Sequence, residues 1–281
     1  MTTNLDLSNE EFQQIRDYLE TISGIAIGEN KAYLVENRLA ELLPEFDCTS
    51  YGSLCFKAKT HAGLRDRMVD LMTTNETLWF RDQHPFITFK EHLLPIYMER
   101  LRKGEGRNKI RIWSAACSTG QEPYSLAMIL LDSMAGKSWL KPSMFEIMAT
   151  DISPTCLQTA EQGIYDQVAI RRGLADQYRG RFFTNVGKHW SVNDQVKAMV
   201  NFKQFNLQDS FTGFGRFDLI LCRNVAIYFS REFKKILFKK FGRSLEKDGV
   251  FFLGASESLS GYSSDFEIMK YKQGFYYKTL V

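Results

Sequence analysis

Asp151 closes the apolar run Phe145-Glu-Ile-Met-Ala-Thr-Asp151, and its type and place point to chemistry. A carboxylate at the end of the second strand of an α/β unit is placed to accept hydrogen bonds from ribose hydroxyls. Upstream, Ile110-Arg-Ile-Trp113 alternates as a strand, and Ser114 to Thr119 is a run of small residues ahead of Gly120. Glu122-Pro123 restarts the chain as a helix, with proline where a first turn tolerates it. A strand, a small-residue loop and a helix let a ligand approach the backbone at the strand's carboxyl end. The loop has one glycine, not the three of a dinucleotide fingerprint, and no Lys-Ser/Thr follows as in a phosphate loop. Alone it also reads as a close-packed turn. With Asp151 it points to an adenosine-type ligand held without a phosphate cradle, which S-adenosylmethionine fits better than NAD or ATP.

A second polar pair ends a second buried strand. Phe217-Asp-Leu-Ile-Leu-Cys-Arg-Asn224 delivers Arg223 and Asn224 to a strand's carboxyl end, where an open α/β sheet presents its ligands. No Pro-Pro follows Asn224, which argues against methylation of base amino groups. A capping or salt-bridge role for this pair stays open. The five cysteines form no Cys-x-x-Cys pair, and the four histidines have no metal-ligand spacing, so no metal site is expected. Free thiols fit a reducing cytoplasm.

The elements that must position these groups follow from periodicity. Ser8 with Glu11 forms a capping-box pattern ahead of Phe12, Ile15, Leu19 and Ile22. Further helices are expected over Lys31–Leu43, ended by Pro44, and over Ser50–Lys59, Leu64–Met72 and Pro85–Arg102. Thr73 to Asp82 has neither helical nor strand periodicity, and Lys103 to Lys109 reads as a surface turn. From 110 onward, strands (110–114, 145–150, 217–222, 249–254) alternate with helices (122–134, 154–162, 231–245), which predicts a parallel sheet covered on both faces. Phe266 to Leu280 reads as a terminal hairpin, and Phe182 to Val192 as two short strands within an insertion at about 178–203. A parallel sheet finished by an antiparallel element is similar to the S-adenosylmethionine-dependent methyltransferase fold more than to an ordinary dinucleotide fold, and by that analogy the expected fold class is α/β: a class I, Rossmann-like S-adenosylmethionine-dependent methyltransferase sheet with a small all-helical N-terminal domain and a small β insertion. The domains expected are 1–84, helices and linker, and 85–281, the catalytic sheet.

Composition sets outer bounds. The chain is 44% hydrophobic and 25% charged, as in ordinary globular proteins. No apolar run approaches the ~20 residues of a membrane span. Met1 to Asp6 lacks the basic and apolar segments of a secretory signal. A net charge of +3 gives no argument for nucleic acid. Residues 1–100 carry 10 Lys+Arg against 16 Asp+Glu, and residues 101–281 carry 26 against 17, so the two regions present different surfaces.

Six ordered segments carry a family resemblance: Thr73–Asp82, Trp113–Ser125, Ala149–Ser153, Asn206-Leu207, Cys222–Phe229 and Leu253–Ser258. Together they resemble the motifs of the CheR family of chemotaxis-receptor glutamate methyltransferases, over nearly the whole chain. The resemblance implies a cofactor site. In it Asn75, Thr77 and Arg81 reach in from the linker, and Glu122 and Asp151 hold the amino-acid and ribose parts. Asn206-Leu207 flanks the adenine, and Arg223-Asn224 closes the site. Arg81 and Tyr228 are implied near the transferred methyl. Asn206 as a strand-end turn residue and Tyr228 as a core aromatic stay open. The implied partners are the cytoplasmic helices of methyl-accepting receptors, met by a monomer in the cytoplasm, without nucleic acid and without membrane insertion. Thr184 to Trp190 is shorter and poorer in glycine than the loop by which some members grip a receptor's C-terminal peptide, so the peptide-independent type is implied. Docking is then expected through the helical region, with Lys31, Arg38, Arg65 and Arg67 as a local positive strip. A catalytically silent, methyltransferase-like binding module and a small-molecule O-methyltransferase are the alternatives.

Overall fold

The structure, a computed structural model, describes residues 6–280. Residues 1–5, on which the reading of the N-terminus partly rests, lie outside them. Five helices come first: α1 (Asn9–Ser23), α2 (Ala32–Leu39), α3 (Leu42–Glu45), α4 (Tyr51–Ala58) and α5 (Ala62–Met72). Ser8 caps α1 as expected, accepting the Glu11 N–H at 3.2 Å while Glu11 accepts the Ser8 N–H at 3.1 Å. The single helix expected over Lys31–Leu43 is two, and Pro44 lies inside α3 rather than ending a helix. In a first turn proline's missing N–H has no intrahelical partner to lose. Phe12, Ile15, Leu19, Val35, Leu39 and Leu54 share the buried core of this region.

The helix expected over Pro85–Arg102 is broken. α6 (His84–Thr88) passes through a π-helical turn (Phe89–Leu93) into α7 (Leu94–Lys103). Pro95 has no N–H for the Glu91 carbonyl and its ring crowds that carbonyl, which accounts for the widened turn before it.

The sheet region follows as β1 (Ile110–Ala115), α8 (Gln121–Met134), β2 (Phe145–Asp151), α9 (Pro154–Gln162), β3 (Ile164–Asp166), α10 (Gln167–Arg171), α11 (Asp176–Phe182), β4 (Phe183–Val186), β5 (His189–Val192), α12 (Asp194–Lys197), β6 (Val200–Gln204), β7 (Phe217–Leu221), α13 (Arg231–Arg243), β8 (Leu245–Phe252), β9 (Phe266–Tyr271) and β10 (Gly274–Thr279). Seven strands order as β6-β2-β1-β7-β8-β10-β9, and β10 runs antiparallel to both neighbours. Ile112 and Leu219 face one buried layer while Trp113 and Ile220 face the other, the period-two alternation of a strand covered on both sides. The chain steps from β1 to β2 on one side and reaches β7 on the other, so the order reverses at β1, and a crevice forms at the carboxyl ends there.

Two departures concern the insertion. The small sheet is three-stranded, β3-β5-β4, and begins at Ile164, earlier than expected. Val200–Gln204, most of which an insertion over about 178–203 would include, is instead the edge strand of the main sheet, paired in parallel with β2 from Ile147↔Val200 to Asp151↔Gln204. Only Val200 and Phe202 pack inward, against Cys117, Ala149 and Leu157. An edge strand buried on one side carries too little apolar pattern to stand out in sequence.

Candidate functional site

A cleft of about 990 Å³, its open mouth included, lies over the carboxyl ends of β1, β2 and β7. Asn75, Thr77, Arg81, Glu122, Asp151, Asn206, Leu207, Arg223, Asn224 and Tyr228 all line it. Residues distant in sequence thus share one wall, and the helical region closes the remaining side through Ser23, Ile25 and Met72.

The loop after β1 owes its course to left-handed backbone at Ala116 (φ +58°), Ser118 (φ +51°) and Gly120 (φ +92°). At Gly120 a Cβ would lie 2.9 Å from the Ala160 Cβ, so glycine is required there. This course turns the Ser118 N–H onto Asp151 Oδ2 at 2.8 Å, while the Ser153 N–H reaches Oδ1 at 2.9 Å. Asp151 is buried, yet each carboxylate oxygen keeps a lone pair for a ligand hydroxyl.

Burial pushes the Asp151 carboxyl above the ordinary carboxylate range, backbone N–H groups of Ser153, Ser118 and Ile152 pull it back, and the Asp70 charge adds to the rise. The folded value therefore exceeds the unfolded one. This group's contribution to stability is present below its unfolded value and is lost as pH rises through the folded value. Ligand binding runs the other way, because only the ionised carboxylate accepts from two ribose hydroxyls. Cofactor affinity is expected to fall on acidification from neutrality, beginning above the ~4 of an ordinary aspartate. Asp151→Ala is expected to cost about 1.5–3 kcal/mol of cofactor binding at neutral pH and to flatten that pH dependence. Calorimetry across pH tests both, and unchanged affinity in the variant removes Asp151 from the site.

Arg223 is a buried charge in the cleft wall. Its guanidinium donates to Glu122 Oε2 at 2.8 Å, to Asp82 Oδ2 at 2.8 Å and to the Arg81 carbonyl at 2.6 Å, with its side chain 2% exposed. The salt-bridge reading of Arg223 is the one the geometry supports. It ties the end of β7 to the linker and to α8 through both terminal nitrogens, while its Nε is buried without a partner among the described residues. Glu122 accepts from Ser114 Oγ at 2.7 Å on its other oxygen. Asn206 is likewise engaged: Nδ2 donates to the Ile22 carbonyl at 2.7 Å and Oδ1 accepts the Gln208 N–H at 3.0 Å. Its side chain therefore joins the helical region to the sheet.

Other groups remain free to meet a ligand. Arg81 donates once, to the Glu76 carbonyl at 2.5 Å, and its remaining N–H groups have no partner among the described residues. The Tyr228 hydroxyl has none among the described residues either, and Tyr228 lines the cleft. Asn224 Oδ1 is buried without a partner. Phe205, Leu207 and Ile152 supply apolar wall between these polar groups. A terminal carboxylate, an orphaned amide oxygen, apolar walls and no phosphate cradle fit the adenosine and amino-acid parts of S-adenosylmethionine.

The linker reaches the cleft because tertiary partners hold it. Trp79 is fully buried edge-on to Tyr165 and Phe183 of the small sheet, at 5.0 and 5.2 Å between ring centroids. Its backbone N–H donates to the Arg172 carbonyl at 3.1 Å, and the Phe80 N–H to Ser125 Oγ at 3.2 Å. The helical region is fastened too. Ala26 N–H donates to the Tyr228 carbonyl at 2.8 Å, and Asp70 accepts from Ser153 Oγ and Thr155 Oγ1.

The expected positive strip is not free. One Arg38 nitrogen donates to the Leu71, Met72 and Thr73 carbonyls at 3.2, 3.1 and 2.8 Å, which caps the end of α5. Arg67 pairs with Glu41 and Glu45, and Arg65 with Asp66. Of the four, only Lys31 has no partner among the described residues. Sequence reasoning also passed over Asp82 and Glu257. Both lie inside the quoted motifs, and their acidic type beside arginine or glycine was the available signal.

Residues 75–275 match the family model for the CheR methyltransferase SAM-binding domain, and residues 10–73 the CheR methyltransferase all-alpha domain. A chemotaxis protein methyltransferase of Vibrio parahaemolyticus is 42% identical, over 98% of this chain and 99% of that protein. Chemotaxis protein methyltransferase 1 of Pseudomonas aeruginosa is 40% identical over 98% and 99%, and the chemotaxis protein methyltransferase of Escherichia coli 33% identical over 92% and 88%.

Proposed function

The chain belongs to the CheR methyltransferase family, and on that premise we propose that it methylates glutamate side chains of chemotaxis receptors, giving γ-glutamyl methyl esters for sensory adaptation. The observation that carries the reading is the convergence on one cleft of Asp151, Arg81 and Tyr228 from three distant segments. When bound, S-adenosylmethionine supplies a sulfonium methyl: an oxygen–carbon bond to the acceptor carboxylate forms as the sulfur–carbon bond breaks, the electron pair leaving on sulfur. A glutamate with pKa ~4.3 is already ionised at neutral pH, so the site needs no general base. That agrees with a cleft wall carrying no histidine.

Asp151 holds the ribose hydroxyls, Glu122 and Asn75 the amino-acid end, and the Asn206-Leu207 backbone flanks the base, with Thr77 and Asn224 completing the wall. Arg81 presents its free N–H fork to the acceptor carboxylate. Seating the acceptor carboxylate in the cleft strips water that otherwise solvates and quenches the nucleophile. The substrate lies on cytoplasmic receptor helices, and residues 1–84 form the docking unit of a cytoplasmic monomer. With Arg38 committed to α5, docking rests on shape at the cleft mouth more than on a positive strip. The β4–β5 hairpin turns through Gly187-Lys188 alone, in keeping with a peptide-independent member. Among the described residues no helix is long and apolar enough to cross a membrane.

Labelled S-adenosylmethionine incubated with the protein and membranes from its own source tests this. Base-labile label on a receptor-sized band is expected. Cofactor binding without any label supports the silent module instead, and label confined to small molecules supports the other alternative.

A further inference from the structure

Behind the turn that carries Asn224 and Tyr228 lies a carboxylate that does not line the cleft. Glu257 sits just past the end of β8, half-buried. Its Oε2 accepts the N–H groups of Asn224 and Gly254, each at 2.7 Å, and its Oε1 those of Val225 and Ile227, at 3.0 and 3.1 Å. Two donors on each oxygen fill the carboxylate's acceptor capacity. Three of the four come from the turn between β7 and Tyr228. Asn224 stands there at φ +59°, a left-handed conformation uncommon outside glycine and one that asparagine tolerates better than other side chains. The approach depends on Gly254. A Cβ there would lie 2.6 Å from Asn224 Nδ2 and 2.8 Å from Glu257 Oε2.

We propose that Glu257 is a positioning residue for methyl transfer: by binding the backbone of residues 224–227 it sets where Asn224 and Tyr228 stand in the cleft. The inference rests on the methyl-transfer reading. Glu257 works from outside the cleft and touches neither acceptor nor cofactor. Its four N–H partners also satisfy its negative charge close to a site that must admit a second carboxylate.

Glu257→Gln tests this. The amide keeps the size, but its NH₂ faces two N–H donors, so half of the interaction turns repulsive. Turnover is expected to fall on the order of a hundredfold, as a misplaced group near the reacting atoms does, while cofactor affinity falls far less. The effect should also be non-additive with Tyr228→Phe, because the displaced turn has already removed what the hydroxyl contributes. Should Glu257→Gln not fold, Gly254→Ala crowds both Asn224 and Glu257 Oε2 and has to give the same split. Unchanged turnover, an equal loss of cofactor affinity, or strict additivity with Tyr228→Phe overturns the proposal. A wild-type protein that labels no receptor overturns the methyl-transfer reading itself, whereas an active wild type beside an equally active Glu257→Gln overturns this inference alone.

Discussion

Arg223→Met is expected to lower the unfolding free energy by about 3–5 kcal/mol, because it strips the partner from two carboxylates without removing them. Glu122 is left 12% exposed with only the Ser114 hydroxyl, and Asp82 loses its ion pair. A fall in melting temperature on the order of 10 °C follows for a chain of this size. The same change releases the Arg81 carbonyl, so the linker loses its tie to β7. Cofactor affinity and turnover should therefore fall together with stability. Thermal unfolding with and without S-adenosylmethionine checks both. A melting temperature equal to wild type would show that the network contributes little net stability. Adding Glu122→Gln should recover part of the loss, since the repair removes one of the unpaired charges.

Arg81→Ala is expected to leave the fold intact and to cut turnover on the order of a hundredfold, with a smaller effect on cofactor affinity. The Arg81 side chain has one bond to protein, to the Glu76 carbonyl, and no ion pair among the described residues, so little stability is at stake. Its value lies in the planar fork held open toward the cleft. Arg81→Lys keeps the charge and loses the fork, and should recover only a minor part of the rate. Single-turnover kinetics with saturating cofactor separates the alternatives. Loss of cofactor affinity without loss of turnover would assign Arg81 to the cofactor rather than to the acceptor carboxylate.

Much of the frame was legible in the sequence because it is written locally. Ile110 to Trp113 alternates with period two, Ser114 to Thr119 is uniformly small, and Pro123 falls in the first turn of α8, so strand, loop and helix follow from neighbours within a few residues. The same holds for the Ser8–Glu11 box and for α9, which begins at Pro154 behind the Ser153 cap and spans the residues expected. Asp151 could be read as a ligand group because a carboxylate at the end of a buried strand has few other uses. The proline at 95 was visible as well, but its consequence, a π turn in place of a straight helix, depends on what the rest of the helix packs against.

The remainder needed partners that sequence spacing does not reveal. Thr73 to Asp82 shows no periodicity because no local ladder shapes it. Trp79 is fixed by Arg172, Tyr165 and Phe183, nearly a hundred residues on. β6 went unseen because an edge strand buried on one side leaves only Val200 and Phe202 as its apolar signal. Arg38 looked like a surface charge until the end of α5 folded across it and spent its donors on three carbonyls. Glu257 and Asn224 are separated by a whole helix and strand, and Glu122 and Arg223 by most of the sheet. The sequence by itself determined which groups stand at the strand ends, since strand and helix periods are properties of adjacent residues. Only the tertiary structure decided which of those groups are free to meet a ligand and which are consumed in holding the others, because hydrogen-bond capacity is finite and its allocation is set by whatever the fold brings within about 3 Å.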